Sequence, residues 1–351
     1  MRRIVAHYAI CHCAVDFACV SIMLTCISPA LGGSVGKGAL AILAYDMFAF
    51  CLQLPLGALL DVRGRFPRAA LLSFGLVAAA ATAAFFDGPL AAAAATFLAA
   101  VGNALFHCAG GIDVLGVSDG HAAPSGVFIS TGALGVFLGA RAGTVLEAAL
   151  IPSVVGLMGI CALVIMMLYE TPAQLARDEA GPAAPPAIAP SAAAAIALIA
   201  LTVALRSYVG MVMAFPWKGE LALAVAAIAA VVAGKAAGGF LADTVGVARA
   251  SIVSLGAAAV LFVFSWDVPA AGIAATFLFN FTMPITLITL ARLLPDNHGF
   301  AFGLASFSLA IGALPAFLGL RTAGGVALSV LSVASLAFLL AGLAAAKDGR
   351  A

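Results

Sequence analysis

Charge is what this chain has least of. Only 9% of its 351 residues are Asp, Glu, Lys or Arg, while 64% are hydrophobic and the mean hydropathy is +1.19. A soluble domain carries about 25% charged residues. The composition therefore excludes an ordinary soluble fold and favours a polytopic helical membrane protein, in which each helix satisfies its own backbone polar groups. The formal net charge of +1 offers no basic patch for nucleic acid. No CxxC pair is present. The seven cysteines (11, 13, 19, 26, 51, 108 and 161) are odd in number and lie in or beside apolar runs of the first half, so they read as small buried thiols rather than a disulfide framework. No nucleophile–His–acid arrangement, phosphate loop or HExxH pattern occurs, so neither an enzyme nor a cofactor is expected. A cleaved leader is not expected either. Met1-Arg2-Arg3 imitates one, but the apolar stretch that follows runs from Ile4 to about Ile27, the length of a span.

What the chain does have is long apolar runs. Twelve reach the length a membrane crossing needs: roughly 4–28, 38–60, 68–86, 90–111, 124–146, 151–169, 192–214, 220–241, 249–265, 269–290, 299–319 and 325–346. Gly, Pro and Asp clusters punctuate them, as at Asp87-Gly88-Pro89 and Pro295-Asp296-Asn297. The longest polar interruption, 170–191, holds Arg177, Asp178, Glu179 and prolines 182, 185, 186 and 190. It predicts an N-terminal six-helix bundle (1–169), a linker (170–191) and a C-terminal six-helix bundle (192–351). Lys and Arg concentrate on the side of both termini and the linker. Arg2, Arg3, Arg63, Arg65, Arg68, Arg177, Arg249, Arg292, Lys347 and Arg350 lie there, against Lys37, Lys218 and Arg321 opposite. That bias predicts cytoplasmic termini in a plasma (inner) membrane.

The two halves look duplicated. Gly57-Ala-Leu59-Leu-Asp61-Val-Arg63-Gly64-Arg65 recurs as Gly239-Phe-Leu241-Ala-Asp243-Thr-Val-Gly246, each copy between two apolar runs. Ala95-Thr-Phe-Leu98 recurs as Ala275-Thr-Phe-Leu278, and Gly126/Gly139 match Gly299/Gly312 in spacing. Duplicated halves are the architecture of carriers that rock one half against the other around a midplane site. An Asp at a helix end beside Gly and Arg can cap the next helix and pair with cations. Gly57, Asp61, Gly64, Arg65, Gly239, Asp243 and Gly246 are therefore candidate parts of a conformational latch. In the fifth run Gly135, Gly139 and Gly143 share one face and predict close helix packing.

These motifs resemble those of the major facilitator superfamily: the acidic turns its loops 2–3 and 8–9, and the glycines of span 5 its antiporter motif, with Ala140 where the family has Pro. Within it, Gly102-Asn103-Ala-Leu-Phe-His107, Leu205-Arg206-Ser207 with Phe215-Pro216, and Leu294-Pro295 with Gly299-Phe-Ala-Phe-Gly303 resemble the fosmidomycin-resistance type of efflux carrier. His12 to Asp16 resembles that family's first span. The resemblance implies a major facilitator fold, alternating access, and proton-driven export of a small molecule. It also places spans 1, 4, 7 and 10 along the pathway. Cys108-Ala109-Gly110 follows the span 4 His where the family tends to have Pro and an acid. Arg141 and Asp46 stand at positions the family usually leaves uncharged.

Charges inside spans each cost about 2.5–3.5 kcal/mol at the bilayer centre and so need a partner or a wet cavity. Asp16, with His12 four residues away on one helical face, and Asp46 are the candidate proton-coupling groups, since low dielectric favours the neutral carboxylic acid. Arg206 and Arg141, with His107 and Asn103, are the candidate substrate-binding residues, because a guanidinium suits carboxylate, phosphate or phosphonate. A structural pairing of Arg141 with Asp16 or Asp46 is the alternative. His7, Cys11, His12, Cys13, Asp16 and Cys19 are metal-competent, yet His7/Cys11 and His12/Asp16 form separate i, i+4 pairs, so no metal site is expected. The expected partners are a small-molecule substrate, protons and lipid, with the protein a monomer. Uptake of a nutrient anion, or export of a divalent metal, remains the alternative to export of an organic anion.

Overall fold

A computed structural model describes residues 1–30, 35–63, 68–169, 188, 190–322 and 324–348. Gly64 and Arg65 of the first acidic turn, Gly32-Gly33, and 170–187 and 189 of the linker lie outside the described residues. Among the described residues regular structure is entirely helical. Ten helices are long and apolar enough to cross a membrane, and Ala69–Ala83 is a shorter apolar one. One of the ten, Ala122–Leu168, spans 47 residues. It is broken where Glu147 takes a left-handed φ of 45° and a 3-10 turn, Glu147–Ala149, intervenes. Divided there, it gives two helices of span length, so each of the twelve predicted spans has its helix.

In chain order these are α1 (Arg2–Ala30), α2 (Gly38–Arg63), α3 (Ala69–Ala83), α4 (Pro89–Val117), α5 (Ala123–Leu146), α6 (Leu150–Tyr169), α7 (Pro190–Val212), α8 (Leu221–Val245), α9 (Val247–Phe264), α10 (Pro269–Leu293), α11 (His298–Phe317) and α12 (Gly325–Asp348). Their outward faces are apolar: Leu90, Val145 and Met167 are 84%, 76% and 67% exposed. Large side chains left bare in this way want hydrocarbon around them. The turns follow backbone chemistry. Gly246, at φ 88°, ends α8 in a conformation that L side chains rarely adopt, and its N–H still reaches the Ala242 carbonyl at 2.9 Å. Val247 then starts α9 at once. Within α1 the backbone widens into a π-helix over Ile22–Ile27, a local irregularity often found at functional sites. α4 runs six residues past its predicted end at 111, and this brings Asp113 into the helix.

The chain forms two compact units. The first comprises residues 1–114, 131–185 and 298–303, the second 115–130, 186–297 and 304–351. Each unit thus takes in a short segment from the far half of the sequence: the first turns of α11 belong to the first unit, those of α5 to the second.

Candidate functional site

In the first unit, α1 and α4 bring three side chains together. His12 Nε2 lies 3.3 Å from Asp16 Oδ2 and 2.9 Å from His107 Nε2, and His107 Nε2 is 3.8 Å from Asp16 Oδ1. Asn103 Nδ2 donates to Asp16 Oδ1 at 3.0 Å. His12 is buried, and the Asp16 side chain is 14% exposed. The hydrogen positions follow from the partners. The Asn103 carbonyl, 2.9 Å from His107 Nδ1, can only accept, so Nδ1 carries that ring's hydrogen. Neutral His107 then presents a bare Nε2 to His12. His12 Nε2 must be the donor, aimed between His107 Nε2 and Asp16 Oδ2. A further proton could be accepted at His107 Nε2 or on the Asp16 carboxylate. The arrangement is a hydrogen-bonded cluster of two imidazoles, a carboxylate and an amide.

Helix α5 closes on it. A Cβ at Gly132 would run into His12 Nε2 and Asp16 Oδ2, so any larger residue there has to displace those two side chains. The same helix lays Gly135 against the Cys13 carbonyl, Gly139 against that of Phe17 and Gly143 against the Thr25 side chain. Asp46, on α2, is half-buried. Arg141 is not brought to the cluster. It is exposed, its guanidinium stands 4.0 Å over the ring of Phe137 on its own helix, and among the described residues it makes no ion pair with Asp16 or Asp46. The four-residue spacing of Phe137 and Arg141 makes that local stacking the nearest option.

Arg206, on α7 in the second unit, is only 6% exposed, and its Nε and Nη1 have no hydrogen-bond partner among the described residues. The Phe279 ring lies 5.7 Å from the guanidinium carbon. A buried, unmatched donor costs about 1–3 kcal/mol, and more when charged. Next to α7, Lys218 at the chain's turn into α8 shows the contrasting case. Its ammonium donates to the Met213 carbonyl at 2.8 Å and stands over Phe215, and burial pushes its pKa below the usual lysine value.

The acidic turns do cap helices, but not the next ones. Asp61 accepts from the Gly299 and Phe300 N–H groups at 2.9 and 2.7 Å, at the start of α11. Asp243 accepts from Ala122 and Ala123 at 2.7 and 2.9 Å, at the start of α5, with His121 Nδ1 3.7 Å away. A carboxylate across a helix N-terminus satisfies orphan N–H groups and the positive end of the dipole together. Gly57 and Gly239 let the backbones meet at these points: a Cβ on Gly239 would lie 2.7 Å from the Ala122 carbonyl oxygen, and one on Gly57 would strike the Gly299 carbonyl. One turn further along, Gly303 abuts the Gln53 carbonyl as Gly126 abuts that of Lys235. These contacts correct the sequence alignment of the repeats. Gly126 corresponds to Gly303, not Gly299. Gly135, nine residues on and packed on the Cys13 carbonyl, corresponds to Gly312, packed on that of Ala204.

Sequence reasoning missed Gly132, which sits outside the four-residue glycine spacing, and Asp113, which the shortened span 4 left in a loop. Asp113 Oδ2 accepts from the buried Tyr8 hydroxyl at 2.5 Å.

No protein-family model matches this sequence, and no curated protein does. Solved structures do. A crystal structure of the human organic anion transporter MFSD10 (TETRAN) matches with a TM-score of 0.74 at 16% identity, over 96% of this chain and 99% of that one. A crystal structure of the major facilitator superfamily transporter FucP in the outward conformation matches with a TM-score of 0.65 at 12% identity, over 97% and 99%. A second structure, of the E. coli fucose:proton symporter FucP, matches equally well. The chain has the major facilitator fold.

Proposed function

We propose that the chain is a secondary active transporter that exports a small organic anion in exchange for protons. The observation that carries this reading is Arg206: a buried guanidinium with two unmatched nitrogens asks for an anion, and a transported one can come and go. The likeness to a human organic anion transporter points the same way. His12, Asp16 and His107, held by Asn103, take up and release the driving proton, with Asp46 tuning them through its charge. Arg141 is left out of the anion site. The bonds of Asp61 and Asp243 to their helix ends break and re-form during alternating access, with Gly246 shaping the turn after Asp243. Gly135, Gly139 and Gly143 let α1 and α5 move as one. The Lys/Arg bias sets the termini in the cytoplasm of a cell bounded by this membrane, and the protein works as a monomer.

Reconstitution in vesicles of known orientation tests the reading. An imposed proton gradient should drive a bound anion opposite to proton flow, and Arg206→Ala should abolish this while neutral solutes are unaffected. Equal loss for neutral and anionic solutes would make Arg206 a structural residue. A symport reading is favoured by one observation, the likeness to a fucose:proton symporter. In the same assay it predicts solute moving with the protons.

A further inference from the structure

We propose that the His12–Asp16–His107 cluster is also a binding site for a divalent ion of the zinc class. The inference goes beyond the transport reading and rests only on the cluster's geometry. Two imidazoles and a carboxylate, all within 4.8 Å of one another, form a ligand set such ions favour. A tetrahedral zinc with bonds of about 2.0–2.1 Å holds its donors about 3.3 Å apart. Two of the separations, 2.9 Å from His12 Nε2 to His107 Nε2 and 3.3 Å from His12 Nε2 to Asp16 Oδ2, lie close to that value, while His107 approaches the carboxylate at Oδ1, 3.8 Å away, so a rotation of the carboxylate that brings Oδ2 toward His107 completes the cage.

The outer contacts prepare these ligands. The Asn103 carbonyl holds the hydrogen of His107 on Nδ1, which makes Nε2 the nitrogen that coordinates. Asn103 Nδ2 engages Asp16 Oδ1, leaving Oδ2 for the ion. Such outer hydrogen bonds orient ligands and raise affinity. Gly132 keeps any side chain away from His12 Nε2 and Asp16 Oδ2. The ion displaces the hydrogen from His12 Nε2, which moves to Nδ1 or to solvent, so metal and proton compete for one seat.

The test is zinc chloride titrated into the purified full-length protein in detergent, followed by calorimetry, with cobalt chloride as a spectroscopic probe. One saturable site is expected, weaker at lower pH and insensitive to excess magnesium, and cobalt should give the intense visible bands of tetrahedral nitrogen and oxygen ligation. Asn103→Ala, which keeps all three ligands, should weaken zinc about 10–100-fold, and His12→Gln or His107→Gln by more. His7→Gln and Cys11→Ala should leave it unchanged. Absence of saturable zinc binding overturns the proposal. So does binding that survives both His12→Gln and His107→Gln but is lost in Cys11→Ala.

Discussion

The carboxylate of Asp61 closes the N-terminus of α11 through the N–H of Gly299, 238 positions later in the chain, at 2.9 Å. Asp243 does the same for α5 through Ala122, 121 positions earlier, at 2.7 Å. Two copies of one turn thus perform one task at two places. Losing a helix cap costs about 0.5–2 kcal/mol. Asp61→Asn and Asp243→Asn, which keep one acceptor oxygen but lose the charge, should lower thermal stability by similar amounts. Both should change the rate of exchange more than the affinity for solute. Thermal unfolding and counterflow kinetics on the two variants check this; a stability loss confined to one of them would break the equivalence.

Gly132 offers a sharper probe. Alanine there collides with His12 and Asp16, whereas nothing stands within 4 Å of a Cβ at Gly156 or Gly159. Gly132→Ala should insert normally and lose proton-driven transport. Gly156→Ala should behave as wild type. Transport measured beside membrane expression decides the matter.

Arg206 is expected to serve function at the expense of stability. Arg206→Met removes a buried, unmatched charge, so the ligand-free protein should become more stable by about 1–3 kcal/mol, while anion affinity falls by about 2–5 kcal/mol, or 30-fold and more. Thermal shift with and without anion measures both. A variant less stable than wild type without ligand would mean that the guanidinium is holding the helices together.

Arg141→Gln should leave anion affinity and proton coupling near wild-type values, because the guanidinium is exposed and stacked on Phe137. A tenfold loss of affinity would return Arg141 to the binding site.

The sequence carries the spans plainly, because scarcity of charge and the length of apolar runs are local properties. His12 and Asp16 were legible as a pair, being four residues apart on one helix. Their meeting with His107 was not, since nothing local records which face of α4 turns toward α1. Asp61 and Asp243 stood out through repetition, but their partners at Gly299 and Ala122 are set by tertiary packing, and a capping rule applied along the chain points to the wrong helix. The glycine pairing slipped by four residues for a related reason: one helical turn preserves the face, so Gly139 imitates Gly135 in a chain rich in small residues. Gly132 was hidden because its role belongs to the side chains it spares.

The most direct test of the proton–anion account is the proton balance of binding. In weakly buffered detergent, the bound anion should expel a proton from the wild-type protein, and Asp16→Asn should bind the same anion with no change in pH. Binding that leaves the pH unchanged in the wild type, or an equal proton release from Asp16→Asn, would contradict it.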